Sequence, residues 1–301
     1  MNAQLEIKSA YKADIASRAM LISLSITQWA GRKLDKNATR DLIAQNGAQA
    51  GSGKFNKVLV ARGALAKVQT VVSAARITHA TYTLPWMQDG TRIMPVDAFT
   101  AYGNKMREHR EAYDSAVREL LLNYDALKDQ ARSDLGALYN EQDYPPAHQI
   151  AKRFTWSVQT LPMPSATDFR VDMDSATVKA MQNDIQQQID AQIAQAVGHT
   201  FERLQKVVKD MSDKLAAYDP NAENRKDKRT FKDSLVQNVR DLCDVLPSLN
   251  MTGNADLART VEQVQHVLTQ HDAQDLRDND ELRAKVQKDA SAIVDAMAAF
   301  M

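Results

Sequence analysis

The side chains that most often carry catalysis or bind metal ions are few in this chain, and their spacing does not bring them together. The histidines are His79, His109, His148, His199, His266 and His271. No two of them show the His-Glu-x-x-His spacing that places two imidazoles on one zinc ion. The single cysteine, Cys243, lies on an apolar helical face, where it is predicted to be a small buried side chain. With no Gly-x-Ser-x-Gly motif either, we expect no enzyme, no cofactor and no metal site.

A glycine-rich stretch between positions 47 and 55 is superficially similar to a phosphate-binding loop. That loop requires a glycine five positions before the second glycine, and then a lysine followed by a hydroxyl residue that holds Mg²⁺. Here Ala48 occupies the first of these positions and Phe55 the last. We therefore predict a flexible connection.

The tryptophans share a setting that does suggest a site. Trp29, Trp86 and Trp156 each lie within or at the end of a predicted strand, so we predict that they fill the core of one small sheet. The alternative is a partner-docking surface, because tryptophan and arginine dominate binding hot spots. Its residues would be Trp29, Arg32, Lys33, Trp86, Arg92 and Trp156.

Basic residues are dense in one place only, between positions 224 and 229. The chain as a whole has 38 basic and 38 acidic residues, which disfavours broad binding to nucleic acid. We interpret the cluster as a solvated linker and helix start. The alternative is an anion or nucleic-acid contact through Arg225, Lys226, Lys228 and Arg229.

Short segments of alternating or β-branched sequence predict a small antiparallel sheet. Ile22, Leu24 and Ile26 alternate with polar residues, a period of two that favours a half-buried strand over residues 20–29. Further strands are predicted at 77–84, 91–94 and 154–161, with a short one at 169–171 and a hairpin turn at Asp89-Gly90. Short helices are predicted over 35–44 and 58–75.

Two long segments change to helical periodicity. Apolar residues recur every three or four positions over 97–135 and again over 174–217. Two amphipathic helices of similar length most simply bury each other's apolar faces, so we predict a coiled-coil-like arm. Protein partners or self-association through these helices follow from that prediction.

The last third of the chain is also helical in pattern. Helices are predicted over 231–246, 256–270 and 280–300, with Pro247 and Gly253 separating the first two. Asp219-Pro220-Asn221 breaks the preceding pattern, so we place a boundary near residue 220. The predicted fold is mainly α (α+β): residues 1–220 form a β platform with the arm, and residues 221–301 form a C-terminal helical bundle.

Hydropathy predicts no contact with a membrane. No run approaches about 18 consecutive apolar residues, and the N-terminal residues do not have the pattern of a signal peptide. We expect a cytoplasmic protein, in the host cell if it is phage-encoded.

Several short motifs resemble an uncharacterised phage and plasmid family of unknown function. They are Trp29-Ala30-Gly31-Arg32-Lys33-Leu34, Leu84-Pro85-Trp86 with Gly90, Arg92 and Pro95, Leu135-Gly136-Ala137-Leu138-Tyr139, Asp143-Tyr144-Pro145, Arg153-Phe154 and Asp168-Phe169-Arg170-Val171. Members of that family tend to be encoded near a MoxR-type AAA+ ATPase and a von Willebrand A-type protein. The resemblance implies a remodelling module in which this chain is an adaptor or client, and it assigns no catalytic residues.

We therefore expect a non-enzymatic interaction protein of phage or prophage type. A nucleic-acid-binding accessory protein in phage replication or recombination is the first alternative. A structural virion component is the second.

Overall fold

The computed structural model describes residues 15–87, 90–165, 175–219 and 231–298. The predicted strand at 169–171, Asp89 of the hairpin turn, Asp174 and the basic residues 224–229 lie outside these ranges. The helices are α1 (Ile15–Arg18), α2 (Lys36–Gln45), α3 (Ala66–Tyr82), α4 (Phe99–Leu122), α5 (Tyr124–Leu135), α6 (Ala147–Ala151), α7 (Ser175–Ala216), α8 (Ser234–Leu249), α9 (Ala255–Leu268), α10 (Ala273–Asp278) and α11 (Asp280–Met297). The strands are β1 (Ala19–Thr27), β2 (Arg32–Leu34), β3 (Asn56–Val58), β4 (Leu84–Pro85), β5 (Arg92–Pro95) and β6 (Thr155–Pro162).

The predicted fold class, mainly helical with a small antiparallel sheet, is confirmed. Four strands form this sheet in the order β4-β5-β1-β6, and β2 pairs with β3 in a separate two-stranded sheet. In β1, Ile22 and Ile26 are buried while Ser25 and Thr27 are exposed, as the alternating pattern predicts, but Ser23 and Leu24 are both half-buried. Strand β5 pairs antiparallel with both neighbours, placing Arg92 opposite Ile22 on one side and opposite Pro85 on the other.

The strand predicted over residues 77–84 is wrong, because helix α3 continues to Tyr82. Its buried residues Val68, Val72, Ala75 and His79 recur every three or four positions. The buried face of the helix therefore continues through the β-branched residues. Packing of this face outweighs their β propensity, since the whole propensity scale spans only about 1 kcal/mol. Only Leu84 and Pro85 remain as a strand. The start of this helix was also predicted too early, since Val58 lies in β3.

The first long helix is not continuous. Asn123 separates α4 from α5, and its side-chain amide donates to the carbonyl of Glu119, 2.9 Å away. A side chain that bonds the backbone of the preceding turn competes with helix propagation. The second long helix is continuous, as predicted: α7 runs for 42 residues, or roughly 63 Å at 1.5 Å per residue.

The partners of α7 differ from the prediction. Its residues Phe201, Leu204, Val208, Met211 and Leu215 share one buried cluster with residues of α8, α9 and α11. That cluster contains no described residue of 97–135. The predicted mutual burial of the two long helices is therefore wrong, and the C-terminal helices cover the apolar face of α7.

Helix α11 packs along α7 in the antiparallel direction. The amide of Gln287 lies 3.3 Å from the hydroxyl of Ser212. The guanidinium of Arg283 stands 4.6 Å from the ring centre of Tyr218. Residues later in the α7 segment thus contact residues earlier in α11, which shows that the two helices run antiparallel.

The chain divides into two compact units. The first comprises residues 1–23, 80–101 and 159–301, and the second comprises 24–79 and 102–158. The C-terminal helices belong to the same unit as α7, so the boundary predicted near residue 220 does not separate them. Pro247 was also expected to end a helix, but it lies inside the last turn of α8.

The second unit has its own core. It is built from Trp29, Leu59, Val60, Leu65, Leu120, Tyr124, Ala131, Tyr144 and Ile150. Trp29 meets Tyr124 edge to face, with ring centres 5.9 Å apart, a favoured aromatic geometry. In neither unit does a described helix have the length and apolar character needed to cross a membrane.

Gly31 provides a test of the second core. Its φ is +61°, and an added Cβ would lie 2.9 Å from Cγ2 of Val60 and 3.0 Å from Cδ1 of Leu65. We expect Gly31→Ala to lower the free energy of unfolding by about 2 kcal/mol, from backbone strain and overpacking together. Urea denaturation measures the change. Gly63→Ala is the control, because its Cβ would meet nothing within 4 Å; a loss of equal size in both variants would contradict the packing described.

Candidate functional site

The three tryptophans do not form one docking surface. Trp29 is 4% exposed and Trp86 is 2% exposed, and they lie in two different buried clusters. Trp156 is half-buried at the start of β6. Two of the three therefore fill cores, as the preferred interpretation predicts, although not the core of a single sheet.

The basic residues of the predicted docking surface differ in exposure and in their contacts. Arg32 and Lys33 are exposed on strand β2, and the ammonium of Lys33 lies 2.6 Å from a carboxylate oxygen of Asp143. Arg92 is half-buried in β5 and donates to the hydroxyl and the carbonyl of Thr83. The residues Arg225, Lys226, Lys228 and Arg229 lie outside the described residues, so their role as an anion contact stays a prediction.

A buried lysine organises the polar part of the second unit. Lys57 is 4% exposed, and its ammonium lies 2.8 Å from Oδ2 of Asp35 and 2.5 Å from Oδ2 of Asp143. It also donates to the carbonyl of Leu138 at 3.0 Å. Asp35 in turn caps α2, accepting from the amides of Asn37 and Ala38. One ammonium thus ties together strand β3, the start of α2 and the turn at residues 141–143.

The charges of this network favour their ionised forms. Burial lowers the pKa of Lys57, but its hydrogen bonds to Asp143 and Asp35 outweigh burial and leave the pKa raised. Burial likewise raises the pKa of Asp143, while the hydrogen bonds from Lys33 and Lys57 bring it below its ordinary value. A lysine that stays protonated and makes three contacts is neither a general base nor a nucleophile. The network is therefore a scaffold.

Two histidines and the cysteine of the described ranges are also engaged or inert. The imidazole of buried His79 lies 2.9 Å from the hydroxyl of Tyr102, and that of His109 lies 2.9 Å from the hydroxyl of Thr78. Burial raises the pKa of the Cys243 thiol to about 11, which keeps it protonated at neutral pH. No group of three or more potential metal ligands comes together among the residues that the structure describes.

Strand β6 is the feature most suited to recognition. It lies at the edge of the four-stranded sheet, with β1 on one side and no described strand on the other. Seven of its eight residues are exposed and the eighth, Trp156, is half-buried. Among the described residues, both faces of the strand are therefore open to solvent.

The first residues of β6 are firmly anchored. The amide of Thr155 donates to the hydroxyl of Thr27 at 3.1 Å. Tyr113 of α4, which is 2% exposed, donates to the carbonyl of Thr27 at 2.7 Å. Its ring lies 5.4 Å from that of Trp156, and Arg110 donates to the carbonyl of Trp156 at 3.0 Å. The strand is thus held at its start while residues 157–162 stay open to solvent.

The composition of β6 is unusual for an edge. Its sequence, Thr-Trp-Ser-Val-Gln-Thr-Leu-Pro, contains no charged residue. Proteins normally protect exposed edges with charges, bulges or covering loops, because unpaired backbone groups attract other strands. Here only Pro162 at the end of the strand serves that purpose, while Val158 is 38% exposed and Leu161 55% exposed. The strand therefore lacks most of the features that protect an edge.

Sequence reasoning located β6 and Trp156 but missed the groups that anchor them and the residues of the buried lysine network. Thr27, Tyr113, Asp35, Lys57 and Asp143 lie in segments far apart in the chain. The one available signal was Asp35, whose position before a predicted helix is typical of an N-cap.

Comparison of the chain with models of known families, with curated proteins and with solved structures finds no match in any of the three. The resemblance to the phage and plasmid family therefore stays a prediction.

The buried network makes a direct prediction. Lys57→Met should lower the free energy of unfolding by about 3 kcal/mol, because it leaves the buried carboxylate of Asp143 and its neighbour Asp35 without their shared cation. Urea denaturation at neutral pH measures the loss. Lys54→Met, an exposed site three residues earlier, should change stability by less than about 0.5 kcal/mol. Equal stability of the two variants would show that the network does not hold the second unit together.

Proposed function

We propose that the protein is a non-enzymatic interaction protein that binds an extended segment of a partner polypeptide along strand β6. The observation that carries the proposal is the position of β6 at a sheet edge with both faces exposed. The contacts of Lys57, His79 and His109 and the raised pKa of the Cys243 thiol support a binding role over a catalytic one.

Backbone chemistry gives the affinity. Along an edge strand, the amide and carbonyl groups that point away from the sheet have only water as a partner. An added strand replaces that water with a ladder of main-chain hydrogen bonds, the mode known as β-strand addition. The anchoring of Thr155 and Trp156 reduces the conformational entropy lost on binding. The held start of β6 therefore acts as a template for the partner.

Side chains on β6 define the chemistry of the partner. The strand presents Val158 and Leu161 among hydroxyl and amide residues, and it has no charge to pair with a charged segment. An uncharged, β-prone segment with apolar and hydroxyl residues is complementary, because cross-strand pairs of these types stabilise a sheet. A charged partner segment would lose solvation at Val158 and Leu161 and gain no ion pair.

The identity of the partner follows only from the resemblance stated above. An AAA+ ATPase or a von Willebrand A-type protein of a phage or prophage module, in the cytoplasm of the host cell, would supply the segment. No described residue favours the nucleic-acid or virion alternatives, and neither is proposed here.

The test compares two variants with the wild type. Val158→Lys places a charge on the edge and should abolish the pairing. Leu122→Lys is the matched control, since Leu122 is an exposed apolar residue of α4, 86% accessible. We expect wild type and Leu122→Lys to retain the same protein from a lysate of the expressing host, and Val158→Lys to lose it. Hydrogen exchange of the purified complex should show protection of amides within 156–161.

Two outcomes overturn the proposal. If Val158→Lys still retains the bound protein, or if the amides of β6 stay unprotected in the complex, the partner binds elsewhere. The second outcome is self-association: if the wild-type chain sediments as a dimer and Val158→Lys makes it a monomer, the edge strand pairs with a second copy of the chain.

A further inference from the structure

Two arginines of the first unit share one short anchor. In β5, Nε of Arg92 lies 2.5 Å from the hydroxyl of Thr83, and Nη2 lies 3.0 Å from the Thr83 carbonyl. In α7, Nη2 of Arg203 lies 3.1 Å from the carbonyl of Thr81. Thr81 and Thr83 are two residues apart, which spans at most about 7 Å of chain. The two guanidinium groups therefore bind the same short segment, and the charge of Arg92 acts on Arg203.

Neither arginine has an acidic partner. Within the described ranges no carboxylate lies within ion-pair distance of Arg92 or Arg203. Four other arginines of the same unit do have one: Arg240 pairs with Asp272, Arg259 with Asp256, Arg277 with Asp233 and Arg283 with Asp280. Arg92 and Arg203 thus differ from these four arginines in having only neutral acceptors among the described residues.

The pair also leaves donors unused. Nη1 of Arg203 is inaccessible to solvent and has no hydrogen-bond acceptor. The indole N–H of Trp86, which is 2% exposed, likewise has no acceptor. Trp86 directly follows Pro85, the residue paired with Arg92 in the β4–β5 register. Buried donors without acceptors are uncommon in folded proteins, and an affinity for a bound ion is one recognised explanation.

The charges of the two arginines also favour the binding of an anion. Burial lowers the pKa of both guanidinium groups, and the charge of Arg92 lowers the pKa of Arg203 further. Arginine nevertheless stays protonated in proteins, so two like charges remain close together in a partly dehydrated place. Such an arrangement is destabilising unless an anion compensates it.

We propose that Arg92 and Arg203 form a binding site for one small oxyanion group. Guanidinium groups match carboxylate and phosphate oxygens with parallel N–H donors. The unused Nη1 of Arg203 supplies one donor, and Arg92 supplies the second positive charge. This site is independent of strand β6, and neither proposal depends on the other.

Thermal unfolding of the full chain tests the site. Inorganic phosphate, sulfate and acetate are titrated separately against sodium chloride at constant ionic strength. Binding to the folded state alone raises Tm with ligand concentration, by about 5 °C near one hundred times Kd. We expect this rise in the wild type with at least one oxyanion; the phosphate and acetate arms distinguish a tetrahedral from a carboxylate ligand.

Variants identify the residues. Arg203→Gln and Arg92→Gln should each remove the oxyanion-dependent rise, while Arg240→Gln, which loses a paired arginine of the same unit, should retain it. If Arg203→Gln does not fold, Arg203→Lys keeps a charge without the planar donor pair and should weaken binding about tenfold or more. A wild-type Tm that no oxyanion raises beyond chloride overturns the proposal. So does an undiminished rise in the folded variants of both arginines.

Discussion

The fold depends on covering one side of α7. A helix of 42 residues gains little stability by itself in water, and most of its stability must come from packing. Leu204, Val208 and Met211 are fully buried, and complete burial of such side chains is worth about 1.5–3 kcal/mol each. The C-terminal helices provide the covering surface. Residues 175–195 of the same helix contain no fully buried side chain, so the stabilising contacts are concentrated in its second half.

Local periodicity predicted most helices and strands because it reflects which face of an element is buried. It predicted β1 and α7 well, since each has a clear period of two or of three to four. It also predicted β6 as a strand, although burial does not alternate along β6. It failed at residues 77–84, where β-branched residues lie on a helix whose other face is buried. It also failed to identify the partner of α7, because an apolar stripe specifies that something must cover it and not which helix does.

The candidate site was likewise predicted only in part from the sequence. The alternation in residues 154–161 predicted a strand and placed Trp156 in it, but no local pattern shows that a strand lies at an edge with both faces exposed. That property arises from the order of strands in the sheet. Lys57, Asp35 and Asp143 meet only after three distant segments fold together, and the same is true of Arg92 and Arg203. Charged residues of this kind look like ordinary solvated positions in the sequence.

The packing of α11 on α7 is tested most directly by hydrogen exchange after placing a charge in the interface. Ala290 of α11 is fully buried, whereas Ala292 on the same helix is exposed. If α11 covers α7, Ala290→Asp should increase the exchange of amides in residues 201–215, because a buried unpaired carboxylate forces the helices apart. Ala292→Asp should leave that exchange at the wild-type rate. Full protection of residues 201–215 in folded Ala290→Asp protein would contradict the account, since another part of the chain would then be covering α7.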